Sequence, residues 1–202
     1  ENDRGIHSTD SYEKTIKLLD ENLESIEQYR DTLWVLSIQK KMALMRLKGA
    51  KKQKGNTEEL KTILNELLKK SVEEIKGLRT KLFYLRCFVS IYYDLSQYEN
   101  ELIYHQKLLT LFKENKDVFY AEDQAPVIIN ALECFNKNGK KKDFWEHITH
   151  LDTIIKRLSK KQDYYTYWKY VCLFSYYTLH LDEDIPNEIY EKGIDIAKGE
   201  NY

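Results

Sequence analysis

The chain has 202 residues, 32% of them charged, yet its formal net charge is only −1. That balance gives no global argument for attraction to nucleic acid or to a membrane surface. Two prolines, seven glycines and no sustained two-residue alternation argue against a β-protein and for helix.

Residues 1–10 are polar and expected to be loose. From a cap at Asp10 or Ser11, an apolar stripe runs through Tyr12, Ile16, Leu19, Leu23 and Ile26, stepping by three and four as one face of a helix. Nine acids against four bases in residues 1–31 make its outer face acidic. No partner helix stands before it in this sequence, so it reads as an end cap or as the second half of a truncated repeat. Asp31 and Thr32 are capping types and predict a break before a second helix with Leu33, Trp34, Ile38, Met42 and Met45. From Lys40 to Lys54 there are seven bases and no acid, and Gly49 and Gly55 end the helix, with a soft boundary near 49–57. This basic run has one Arg and no helix-turn-helix or aromatic RNA-binding signature beside it. It therefore reads as a solvated helix end before a patch for an acidic protein, and as a nucleic-acid site last. Thr57-Glu58-Glu59 opens a helix carrying Leu60, Ile63, Leu64, Leu67, Leu68 and Ile75, closed by Gly77.

The stretch from Leu82 to Leu111 reads helix, tight turn, helix. Leu82, Leu85, Val89 and Tyr92 form one stripe, and Phe83, Arg86, Ser90 and Tyr93 a second beside it. A helix apolar over more than one face needs cover on more than one side, which stacked neighbours supply. After the break at Ser96-Gln97, Leu102, Leu108, Leu109 and Phe112 make an apolar face, while Glu101, Gln106 and Lys113 read as solvated. Further on, Pro126 suits the first turn of a helix that Asn138-Gly139 stops. The next helix carries Trp145, Ile148, Leu151, Ile155 and Leu158. Asp163 caps an aromatic helix from Tyr164 to His180, and Asp184-Ile185-Pro186 opens a last helix that ends at Gly199 in an acidic tail starting at Asp182. The pattern predicts nine helices, with first helices of hairpins beginning near 31, 80, 122 and 163.

These hairpins repeat. Phe83-x-x-x-Cys87-Phe-Val-Ser90-x-Tyr92 matches Trp168-x-x-x-Cys172-Leu-Phe-Ser175-x-Tyr177 at equal offsets, and Cys134-Phe135 falls about midway. The period is about 40 residues per hairpin, within the range of helical repeat arrays. Tyr92-Tyr93, the Ser96-Gln97-Tyr98 turn and the Tyr104–Leu108 segment resemble a tetratricopeptide (TPR) unit. Val89 and Phe174 stand where that unit has a small residue, Glu101 stands near a small apolar position, and the period exceeds the usual length of about 34 residues. The resemblance is thus to a degenerate member. It implies a single all-α domain over residues 1–202: a right-handed α-solenoid of about four antiparallel hairpins plus one N-terminal helix, with first helices forming a concave wall.

Three cysteines do not make a disulfide framework, and their placement in first helices suits small buried residues in a reducing, cytoplasmic compartment. No segment reaches the roughly 18 apolar residues of a membrane span, and no signal peptide is visible. The chain begins at Glu1 rather than Met, so it is expected to be a processed product or a piece of a longer protein. No phosphate loop, nucleophile elbow or catalytic motif occurs, so no enzyme, cofactor or metal is expected. His147 and His150 share a helix face but lack the three or four converging ligands that zinc needs, and they read as surface histidines.

The 16 tyrosines read mainly as packing between helices, with some lining a groove. On the less apolar stripes of the first helices, Arg86, Ser90 and Tyr93, with Asn130, Glu133 and Lys137 at the offsets around Cys134, could hold an extended peptide by hydrogen bonds and charge. The expected function is a protein- or peptide-binding scaffold. The alternative is a sensory or regulatory segment of a longer bacterial signalling or transcription-regulatory protein, since TPR-like arrays often adjoin such domains and the Lys, Asn, Ile and Tyr content suits an AT-rich genome. A homodimer through the uncapped aromatic end is a further expectation.

Overall fold

The structure, a computed structural model, describes residues 6–49, 53–180 and 184–198. Every regular element among them is helical: α1 (Ile6–Gly49), α2 (Gln53–Leu67), α3 (Leu78–Asp94), α4 (Tyr98–Glu114), α5 (Ala121–Lys137), α6 (Lys141–Ile155), α7 (Gln162–Leu179) and α8 (Asn187–Lys198). The all-α reading therefore holds, with eight helices among the described residues rather than nine. Residues 50–52, inside the expected soft boundary, and Asp182 and Gly199 of the C-terminal segment lie outside the described residues. The chain forms two compact units that divide within α3, between Phe88 and Val89.

In the first unit the break expected at Asp31-Thr32 does not exist. Residues 6–10 and both proposed cap residues are interior to α1. Asp31 is buried and faces away from the backbone it might have capped: its carboxylate takes Lys70 Nζ at 2.6 Å and the Lys76 backbone N–H at 2.9 Å. Thr32 Oγ1 lies 2.8 Å from Thr80 Oγ1 and donates to the Gln28 carbonyl one turn back. With no Gly or Pro at this point, both side chains are free to make tertiary contacts and the helix runs through. Beyond it, Val35, Ile38, Met42 and Met45 of α1 and Leu60, Ile63 and Leu67 of α2 are buried as the two helices pack together, and Trp34 of α1 meets the Tyr84 ring of α3 at 6.0 Å. The helix opened by Thr57 was expected to reach Gly77. Instead α2 starts earlier, at Gln53, stops at Leu67, and gives way to turns. The Tyr84 hydroxyl donates to the Leu67 carbonyl at 3.0 Å and holds that end. Gly77 has φ +81, and a Cβ there would come 2.7 Å from the Gln28 side chain, so the position needs glycine for both conformation and space.

The second unit is built from hairpins. The turn after α3 and the turn after α5 share one geometry. Ser96 and Gly139 are left-handed, with φ 56 and 65. Gln97 N–H reaches back to the Tyr92 carbonyl at 2.9 Å, as Lys140 N–H does to Phe135 at 2.8 Å. This is the Schellman cap, in which a left-handed residue lets two N–H groups satisfy orphan helix carbonyls. The Tyr92 and Tyr104 rings, 5.5 Å apart, seal the first hairpin. The core gathers on α5, whose Ala125, Ile128, Ala131, Leu132 and Phe135 are buried against α4, α6 and α7. Phe144 of α6 stacks on Tyr176 of α7 at 4.6 Å. Burying a side chain of this kind contributes roughly 1.5–3 kcal/mol.

Two local expectations change here. Helix α5 begins at Ala121, where the Tyr120 N–H donates to Asp123 Oδ2 at 3.1 Å, so Pro126 lies past the first turn and has no N–H to offer the Glu122 carbonyl. Helix α7 is preceded by Lys161 in the left-handed region (φ 64), and Asp163 falls inside its first turn rather than at its cap.

Candidate functional site: a groove between α5 and α7

The first helices α5 and α7 pack side by side in the second unit. Between them lies a cavity of about 470 Å³. Asn130, Glu133 and Lys137, one side-chain row of α5, line one wall, and Tyr164, Trp168 and Ser175 of α7 line the other. The row follows from the i, i+3, i+4 geometry of a helix whose remaining faces are taken by the core.

Lys137 is held from three sides. Its ammonium is 2.6 Å from Glu133 Oε1, 4.7 Å from the Tyr93 ring and 5.0 Å from the Tyr98 ring. Burial pulls its pKa down, but the Glu133 hydrogen bond and charge outweigh that and leave it raised. It is a fixed positive charge at one end of the groove, and each cation–ring contact is worth about 0.5–1 kcal/mol. The floor is tied by Asn136, whose amide donates to Ser175 Oγ at 3.4 Å.

Of the six residues expected to bind, Asn130, Glu133 and Lys137 line the cavity, and Tyr93 is joined to it through Lys137. Ser90, on α3 with Tyr93, is half-buried and does not line the cavity, and exposed Arg86 belongs to the first compact unit. The aromatic wall was the part that sequence reading undervalued. Tyr164 is 52% and Trp168 37% exposed, far more than packing residues would be. The signal was the repeat itself, which placed Trp168 and Ser175 in register with Phe83 and Ser90.

A second, more polar cavity of about 850 Å³ lies along α4 and α6, with Lys113, Lys116, Asp143, Glu146, His147 and His150 on its walls. His147 Nδ1 is engaged by the Asp143 carbonyl at 2.8 Å, and desolvation together with His147 holds His150 below its ordinary pKa. Its two phenylalanines, Phe112 and Phe135, are buried and its walls mix charges of both signs, so the groove between α5 and α7, with half-exposed rings and a few convergent polar groups, is the better ligand site although it is smaller.

The three cysteines fall on α3, α5 and α7, all are buried, and burial pushes each thiol up to about 12. Burial thus disfavours the thiolate form of each. Cys134 differs in its neighbours. Glu101, which sequence reading left in solvent, is buried with His105, whose Nε2 lies 3.3 Å from Glu101 Oε1. One ligand atom each from Glu101, His105 and Cys134 falls within 4.8 Å of the others.

The chain matches no family model, no curated protein and no solved structure. Among the described residues, no helix is long and apolar enough to cross a membrane.

Proposed function

We propose that this chain is a binding scaffold of TPR-like hairpins whose α5–α7 groove takes an extended peptide or protein segment. The observation that carries the reading is the pairing, in one cavity, of half-exposed aromatic rings with Asn130, Glu133 and the fixed Lys137 ammonium. Rings supply contact area at low entropic cost, Asn130 can donate to and accept from a peptide backbone, and Lys137 favours a carboxylate on the ligand. The groove exists before the ligand arrives, so the scaffold loses little freedom on binding.

The test is selection of a random peptide library on the whole chain, with affinities of the selected peptides then measured against variants. Trp168→Ala and Asn130→Ala should each weaken binding, the former by about 10-fold or more. Tyr93→Ala should act mildly through Lys137, and Arg86→Ala should not act at all. Peptides that bind wild type and both groove variants equally would move the site elsewhere.

The second reading, a regulatory segment within a longer bacterial signalling protein, draws on a different observation. The stripe of Ile16, Leu19, Leu23 and Ile26 on α1 is uncovered among the described residues. A neighbouring domain or a second copy would cover it, and the full gene together with the solution mass distinguishes these.

A further inference from the structure

Glu101 and His105 sit one turn apart on α4, and Cys134 comes to them from α5. The side chains of Glu101 and His105 are only 5% and 1% exposed. Glu101 Oε2 and His105 Nδ1 have no hydrogen-bond partner among the described residues. A buried polar atom left so costs about 1–3 kcal/mol, and more when it belongs to a charged group. Two such atoms close to a buried thiol are therefore a feature that packing alone does not explain.

The other two atoms of the pair, Glu101 Oε1 and His105 Nε2, face each other, and their spacing points to an ion. At 3.3 Å, the Glu101–His105 contact is long for a charge-assisted hydrogen bond, which runs about 2.7–2.9 Å. It equals the separation of two ligands on one tetrahedral ion, since bonds of about 2.0–2.1 Å at tetrahedral angles put their ends about 3.3 Å apart. A sulfur about 2.3 Å from the same ion would lie about 3.6 Å from each, and Cys134 Sγ already lies within 4.8 Å of both, so it would close in by at most about 1.2 Å. The donor set selects the ion. Thiolate, imidazole and carboxylate suit zinc, whereas magnesium and calcium take oxygen ligands. Charge agrees as well: one thiolate and one carboxylate neutralise a dication, so the buried centre carries no net charge. Asn138 Nδ2, 3.5 Å from Cys134 Sγ, is placed to support the sulfur from outside the ligand set.

We propose that Glu101, His105 and Cys134 form a zinc site that joins α4 to α5, with a water completing the coordination. On binding, the Cys134 thiol gives its proton to solvent and becomes a thiolate ligand. The site lies under the hairpin turns with its three side chains almost wholly buried, so its role is to fix the hairpins that carry the groove.

The test uses the whole reduced chain, stripped with a chelator and titrated with cobalt(II), then zinc. One equivalent of cobalt should produce a thiolate-to-cobalt charge-transfer band, and zinc should displace it. Zinc should also raise the melting temperature. The band should survive in Cys87→Ser, Cys172→Ser and His147→Ala and disappear in Cys134→Ser. Glu101→Gln, nearly isosteric, should keep the helical circular-dichroism spectrum and weaken zinc by at least about 10-fold. Absence of the band in folded wild type overturns the proposal, as does its persistence in Cys134→Ser. Should Cys134→Ser fail to fold, unchanged zinc affinity in Glu101→Gln overturns it equally.

Discussion

From Tyr12 to Arg30 every position of α1 is exposed, whereas from Asp31 to Met45 the same helix buries one face. The apolar spacing is alike in both halves. Ile16, Leu19, Leu23 and Ile26 are 56–63% exposed, while Val35, Ile38, Met42 and Met45 are no more than 7% exposed. Periodicity thus defines which side chains share a face, and it carries no information on whether anything covers that face. What separates the halves is Asp31. It sits at the point where α1 first meets the chain around Lys70 and Lys76, and its carboxylate joins the two.

The largest expected effect lies in the covered half. Ile38 is fully buried, and Ile38→Ala should destabilise the first unit by about 2–5 kcal/mol through lost transfer energy and the cavity left behind. Urea denaturation followed by Trp34 fluorescence would measure it. Next is Asp31→Ala. It removes the partner of Lys70 and leaves the Lys76 N–H unmatched, with an expected cost of about 2–3 kcal/mol because Lys70 remains partly in water. If the two variants cost no more than a substitution in the exposed half, the contrast between the halves has no energetic content.

The effect of Asp31 should also depend on pH, with a definite sign. Burial pushes its pKa up, but the Lys70 hydrogen bond, the Lys76 N–H and the charges of Lys70 and Arg30 outweigh burial and hold it below the ordinary value. A carboxylate with a depressed folded pKa contributes stability that is fully present above its unfolded pKa, about 3.9, and is lost as pH falls through the folded value. The stability gap between wild type and Asp31→Asn should therefore be flat from neutral pH down to about 5 and shrink below about 4. A gap that grew on acidification would mean that Asp31 is not held as the ionised partner of Lys70.

The helical class, the hairpin register and half of the expected groove residues were legible because they depend on local periodicity and on turn chemistry such as Asn138-Gly139. What was not legible depended on the neighbours. Asp31 and Thr32 are chemically suited to capping, and only the approach of Lys70 and Thr80 diverts them. Glu101 reads as a surface acid because nothing along the chain announces that Cys134, on the next first helix, will lie against it. His105 is less conspicuous in the sequence than His147 and His150, although a Glu and a His four residues apart share a face just as surely. A search for acid–histidine pairs at that spacing, set against cysteines one hairpin away, would have found the cluster.

The smallest expected effect tests the exposed half itself. Leu23 is 58% exposed, so truncating it to Ala buries nothing less and slightly improves helix propensity. Leu23→Ala should change stability by no more than about 0.5 kcal/mol, the range of surface positions without special contacts. The half without cover should likewise exchange its amide hydrogens faster than residues 31–47, because an uncovered helix is held by little beyond its own propensity. A loss well above 1 kcal/mol at Leu23 that depends on protein concentration would reverse the inference. It would mean that a second copy covers the stripe in solution, since a monomer's stability does not change with concentration. Sedimentation of wild type beside Leu23→Ala then decides between a helix that stands alone and one that pairs.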